Sequence, residues 1–179
     1  MTLTSREFWT ALHGMILGAT FLLAFTGSAI SLWSLRSEWT TPAGRAGSSR
    51  SLLLGSWTMA ILAWLTVLIG TFVIYPWYRA TPPKGADSSA LASYPKAVLI
   101  SKAQTARWHA FGMEWKEHVG WLAPIFATAV AAIATQYRKT LANERLIRQT
   151  MLVLLSLAFF SAAVAGLFGA LINKMAPVR

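Results

Sequence analysis

The chain has 179 residues, 55% of them hydrophobic and 12% charged, well under the roughly 25% charged that is usual for soluble domains. Its net charge of +10 invites a nucleic-acid reading, but the 16 Lys and Arg residues fall outside the apolar runs, in connections where they meet lipid headgroups, so no nucleic-acid partner is expected. The absence of cysteine excludes a disulfide framework, a thiolate-ligated cluster, haem attached through CxxCH and a catalytic thiol.

Four stretches carry no Asp, Glu, Lys or Arg: Phe8 to Leu35, Ser51 to Tyr78, His118 to Tyr137 and Gln149 to Asn173, of 28, 28, 20 and 25 residues. About 20 apolar residues in a helix cross about 30 Å of hydrocarbon, so each run predicts a span. The first run is too long for the apolar core of a signal peptide and should persist as a helix. The expected fold is all-α: an integral membrane four-helix bundle in a single transmembrane domain over 1–179, with an interfacial helix before the third span.

The first span opens with Phe8 and Trp9 and closes near Trp33 and Trp39, rings suited to headgroup level. Gly14 and Gly18 form a GxxxG step that predicts close packing. Residues 36–50, rich in Ser, Thr and Gly with Pro42 and Gly44 as breakers, read as a surface loop. The second span ends in Tyr75-Pro76-Trp77-Tyr78-Arg79, an interfacial signature, and Thr81-Pro82-Pro83-Lys84-Gly85 after it cannot continue a helix.

The extramembrane segment 79–117 reads as a loop in its first half and a helix from about Lys96, lying at the interface or running straight into the third span. The third span carries Ala127, Ala131 and Ala134, and the fourth Ala162, Gly166 and Ala170, two stripes of small residues. Arg138 to Arg148 between them is a tight basic turn. The two short connections hold Arg36, Arg45, Arg50, Arg138, Lys139, Arg145 and Arg148, a cation density that places them inside, with both termini and the long loop outside.

Chemistry is sparse. No phosphate-binding glycine loop, nucleophile arrangement or paired carboxylate appears, and no ionisable group lies at mid-membrane, as a transport path would need. The three histidines, His13, His109 and His118, belong to one side of the membrane. His13 and His118 lie roughly 12 and 15 Å from their span centres at about 1.5 Å per residue, matched depths for axial ligands of haem b between the first and third spans. His109 or Met113 would substitute if the register differs, and Trp115 and Trp121 would wall a quinone. His109, Met113, Glu114, Glu117 and His118 recur on one helical face, a donor set for copper or another divalent metal. Trp57 and Trp64, seven residues apart, would stack on a quinone, a haem, lipid or core.

These features point to a small membrane subunit of a respiratory or photosynthetic electron-transfer complex, embedded in a bacterial inner membrane beside other membrane subunits. A subunit is expected here and not a self-contained enzyme. The alternatives are a cofactor-free scaffolding subunit and a metal-handling membrane protein.

Overall fold

The structure, a computed structural model, describes residues 3–35 and 41–177. It is an all-α integral membrane protein, consistent with a four-helix bundle: four helices are long and apolar enough to cross a bilayer, and no strand occurs among the described residues. They are α1 (Ser5–Ser34), α2 (Pro42–Arg79), α5 (Ala103–Gln136) and α6 (Arg145–Met175), with two short helices, α3 (Ser88–Leu91) and α4 (Pro95–Ile100), between the second and third. Arg36 and Trp39, read above as part of the first connection and of the headgroup-level rings, lie outside the described residues.

Local chemistry sets the helix ends. Thr4 opens α1 with a capping box: its Oγ1 accepts from the Glu7 backbone N–H at 3.2 Å while the Glu7 carboxylate accepts from the Thr4 N–H at 2.8 Å. The segment read as a surface loop is helical from Pro42 onward. Thr41 caps it, accepting from Gly44 N–H at 3.2 Å, and Pro42 sits in the first turn, where its missing N–H costs nothing. Proline marked a helix start there, not a break.

At 38 residues, α2 is about 57 Å long at about 1.5 Å per residue, more than the hydrocarbon thickness, so its ends reach beyond it. After Arg79 the chain is irregular to Asp87. Its turn is closed by Ala86 N–H on the Pro83 carbonyl at 3.1 Å, and Gly85 takes the left-handed φ of 80° that a side chain would resist. The helix expected from Lys96 runs straight into the third span after a short interruption at Ser101 and Lys102.

Two compact units divide the chain, and each long helix contributes to both. The first comprises Met1–Gly18, Leu65–Trp121 and Ala163–Arg179, and its core joins Tyr78, Leu99, Met113, Ile172 and Ala176. The second comprises Ala19–Trp64 and Leu122–Ala162. Its core joins Phe21, Leu32, Leu52, Met59, Ala127, Ala131, Met151 and Leu155.

In the second unit the alanine stripe of α5 is buried as expected, and Phe25 stacks on Phe159 with ring centroids 4.5 Å apart. Helices α1 and α2 come close at Gly55, where an added Cβ would lie 2.7 Å from Ser28 Oγ. Gly14 and Gly18 make no such approach, with nothing within 4 Å of their Cβ positions, and Gly166 and Ala170 are exposed. A small residue permits close packing, but the large residues that need cover decide which face turns inward. In α6 that face is Met151, Leu155, Ala158 and Ser161.

Trp57 and Trp64 act as clamps in this unit. Their indole N–H groups donate to Thr135 Oγ1 at 3.1 Å and Thr128 Oγ1 at 3.0 Å, so a seven-residue step on α2 meets a seven-residue step on α5. Each threonine in turn donates to the carbonyl four residues back, leaving its oxygen free to accept.

Candidate functional site

The three histidines, Lys116 and Glu117 all belong to the first unit. All three places where a long helix widens to i→i+5 turns among the described residues also fall there: Leu12–Leu17, Gly70–Ile74 and Trp108–Met113. Such turns displace carbonyls from the regular ladder and recur at functional sites.

His13 lies in the first of these turns and packs on the second. A Cβ at Gly70 would stand 2.8 Å from His13 Cε1, so the imidazole rests directly on the glycine backbone. Its ring donates to the backbone carbonyl of Thr66, and because Nδ1 has no hydrogen-bond partner, Nε2 carries that proton. Nδ1 is thereby left as a bare acceptor, sealed from solvent. An imidazole fixed through one nitrogen on a backbone carbonyl, with the other lone pair free, is poised to hold a ligand.

Lys116 of α5 supplies the opposite polarity. Its ammonium is within electrostatic reach of His13, and it runs along α6 with Nζ 3.0 Å from where a Gly169 Cβ would sit. A side chain at Gly169 would displace it. Among the described residues the ion pair formed is His118 with Glu114, not one at Lys116. A half-buried ammonium and a bare imidazole nitrogen thus occupy the same unit.

A second polar group lies in the same unit. The Tyr78 hydroxyl and His109 Nδ1 share a hydrogen bond of 2.8 Å, Arg79 donates to the Tyr75 hydroxyl at 3.1 Å, and Glu117 acts electrostatically on Tyr75, Tyr78 and His109. Beside it runs an aromatic ridge. Trp108, Phe111 and Trp115 each face Phe168 at 5.4–6.4 Å between centroids, and Gly112 leaves room for that ring.

The residues singled out from sequence are placed as follows. His13 is turned inward, whereas His118 is turned outward with 71% of its side chain exposed, its Nδ1–H donating to the Glu114 carbonyl at 3.0 Å. His109 and Met113, one turn apart, face the core beside Tyr78, while Glu114 is exposed with His118. The five-residue face thus splits in two. Among the described residues no three His, Asp or Glu side chains converge as a metal set. Trp115 belongs to the aromatic ridge, and Trp121 closes the tight turn Val119–Trp121, half-buried.

Lys116 and Gly70 were missed. Lys116 lies two residues before the charge-free third run, but the helix of that span begins at Ala103, so the residue sits inside a membrane-length helix. Gly70 carried no signal of its own, because the imidazole it accommodates lies 57 positions earlier in the chain.

No protein-family model matches the chain, and neither the curated proteins nor the solved structures searched contain a match to it.

Proposed function

We propose that this chain is a small subunit of a membrane electron-transfer complex in a bacterial cytoplasmic membrane, with termini and long connection on the outer side. Its ligand is read as the headgroup of a lipid-soluble quinone, held between His13 and Lys116. The observation that carries this reading is the sealed, unpartnered Nδ1 of His13 in the same unit as the Lys116 ammonium. A buried acceptor left bare costs about 1–3 kcal/mol, which a hydroxyl donated by a ligand would recover.

The two groups match the two oxygen states of such a headgroup. Lys116 donates to a quinone carbonyl and His13 Nδ1 accepts from a quinol hydroxyl. When bound, a quinol supplies two electrons and two protons per oxidation, and the electrons pass to a redox group on a partner subunit. The chain's own residues hold and orient the ring. Phe168 and the tryptophans beside it offer an apolar wall of the kind a ring or tail packs on.

Haem b is the other form of the reading. His13 would supply one iron ligand to it, with the second from His118 or from another subunit. The outward turn of His118 favours the quinone form.

The test is the content of the full-length protein purified in mild detergent. Organic extraction should recover a quinone in near-stoichiometric amount, reduced severalfold in Lys116→Met, and the reduced absorption spectrum should lack a b-type α band. A b-type band with extractable haem would replace the quinone by haem. Neither quinone nor haem, with assembly of the complex unaffected by His13→Ala, would leave a scaffolding subunit.

A further inference from the structure

At the second unit's loop end, a groove of about 270 Å³ is lined by Ile133, Tyr137, Leu146, Ile147 and Thr150. Its lining is apolar but for two hydroxyl-bearing side chains, Tyr137 and Thr150. Its apolar lining suits the upper part of an acyl chain. The residues that follow and precede it in sequence are cations: Arg138 and Lys139 just after Tyr137, and Arg145 just before Leu146, all exposed.

Two observations turn this from a scatter of basic residues into a site. Ser49 Oγ donates to the Arg138 carbonyl at 3.0 Å, which ties the start of α2, with its exposed Arg50, to the same turn. Arg148 is spent internally: its guanidinium donates to the carbonyls of Leu141 and Ala142, fixing the turn that carries Arg138 and Lys139. Among the described residues, four exposed cations, Arg50, Arg138, Lys139 and Arg145, thus share the end of the unit with the carboxylate of Glu144.

We infer that this end of the second unit binds an anionic glycerophospholipid, its phosphate among Arg138, Lys139 and Arg145 and one acyl chain in the Tyr137, Leu146 and Ile147 groove. Charge complementarity selects the headgroup, since clustered Lys and Arg at a membrane surface attract anionic lipid. The groove selects a lipid over a free anion, because an apolar lining packs against an acyl chain and inorganic phosphate has no part to place there. The site is independent of the redox reading.

The full-length protein in nanodiscs or detergent is titrated with phosphatidylglycerol, phosphatidylcholine or inorganic phosphate, following retained lipid by native mass spectrometry and melting temperature. Wild type should retain phosphatidylglycerol at least tenfold better than phosphatidylcholine and melt several degrees higher with it, with no response to millimolar phosphate. The triple variant R138Q/K139Q/R145Q should bind the two lipids equally. Leu146→Trp, a change at an exposed position that fills the groove, should lose retention while keeping its helical circular dichroism. Equal retention of both lipids by wild type, a phosphate response matching the lipid response, or selectivity that survives either variant would overturn the inference.

Discussion

Gly70→Ala probes the seat of His13 directly. On an isolated helix this change gains about 1 kcal/mol, because alanine is the better helix former. Here the new Cβ would stand 2.8 Å from His13 Cε1, whereas carbon atoms pack at about 3.5–4.0 Å, so the ring must retreat by roughly 1 Å. Overpacking of this kind costs about 1–3 kcal/mol, and displacement of the ring also forfeits the bond to the Thr66 carbonyl, about 1 kcal/mol. The net expectation is a loss of about 1–3 kcal/mol. In a His13→Ala background neither penalty applies, and the same change should stabilise by up to about 1 kcal/mol. The assay is reversible unfolding in mixed SDS and detergent micelles, run as a double-mutant cycle. A Gly70→Ala effect of the same sign and size in both backgrounds would refute the placement of the imidazole on Gly70.

Three further outcomes follow from other contacts. Ser28→Ala should leave stability unchanged or raise it by about 1 kcal/mol, since Ser28 Oγ is buried without a partner, while Gly55→Ala, whose Cβ would meet that oxygen at 2.7 Å, should cost about 1–3 kcal/mol. The same unfolding assay reads both. Trp64→Phe and Thr128→Ala should couple by about 0.5–1.5 kcal/mol in a double-mutant cycle, because one hydrogen bond joins them across α2 and α5. Asp87, outside the spans, has its carboxyl held below the usual carboxylate range, chiefly by the Ala90 backbone N–H and then by the Ser89 hydroxyl. Its folded value is depressed, so its contribution to capping α3 is present in full above the ordinary Asp range. It is lost as pH falls through the lowered value. Exchange of the Ala90 amide, corrected for intrinsic rate, should accelerate on acidification, and Asp87→Ala should remove that pH dependence.

The spans were legible because lipid imposes one demand that composition reports directly: no charge in about 20 residues. Helix ends were less so. Residues 42–50 contain small polar residues and a proline that suit loop and helix alike, and the helix there is held by the Thr41 cap on Gly44 N–H and by Ser48 and Ser49 bonding to Ser34 and to the Arg138 carbonyl. The candidate site was half legible. His13 stood out as the polar residue within an apolar run, but its true neighbours, Gly70 and Lys116, come from α2 and α5, and their meeting depends on helix phase. Phase is what charge-free runs leave open. His118 and Lys116 lie two positions apart, about 200° around a helix, so turning one inward turns the other out. The i→i+5 turn at Trp108–Met113 shifts that phase again, and regular spacing gives no warning of it.

The most direct test is titration of a short-tailed benzoquinol and naphthoquinol into the purified full-length protein, followed by quenching of tryptophan fluorescence, in wild type, His13→Phe and Lys116→Met. Wild type should bind saturably and both variants at least tenfold more weakly, with folding unchanged by circular dichroism. Equal affinity in all three proteins, or no saturable binding in any, would contradict a ligand site built on His13 and Lys116.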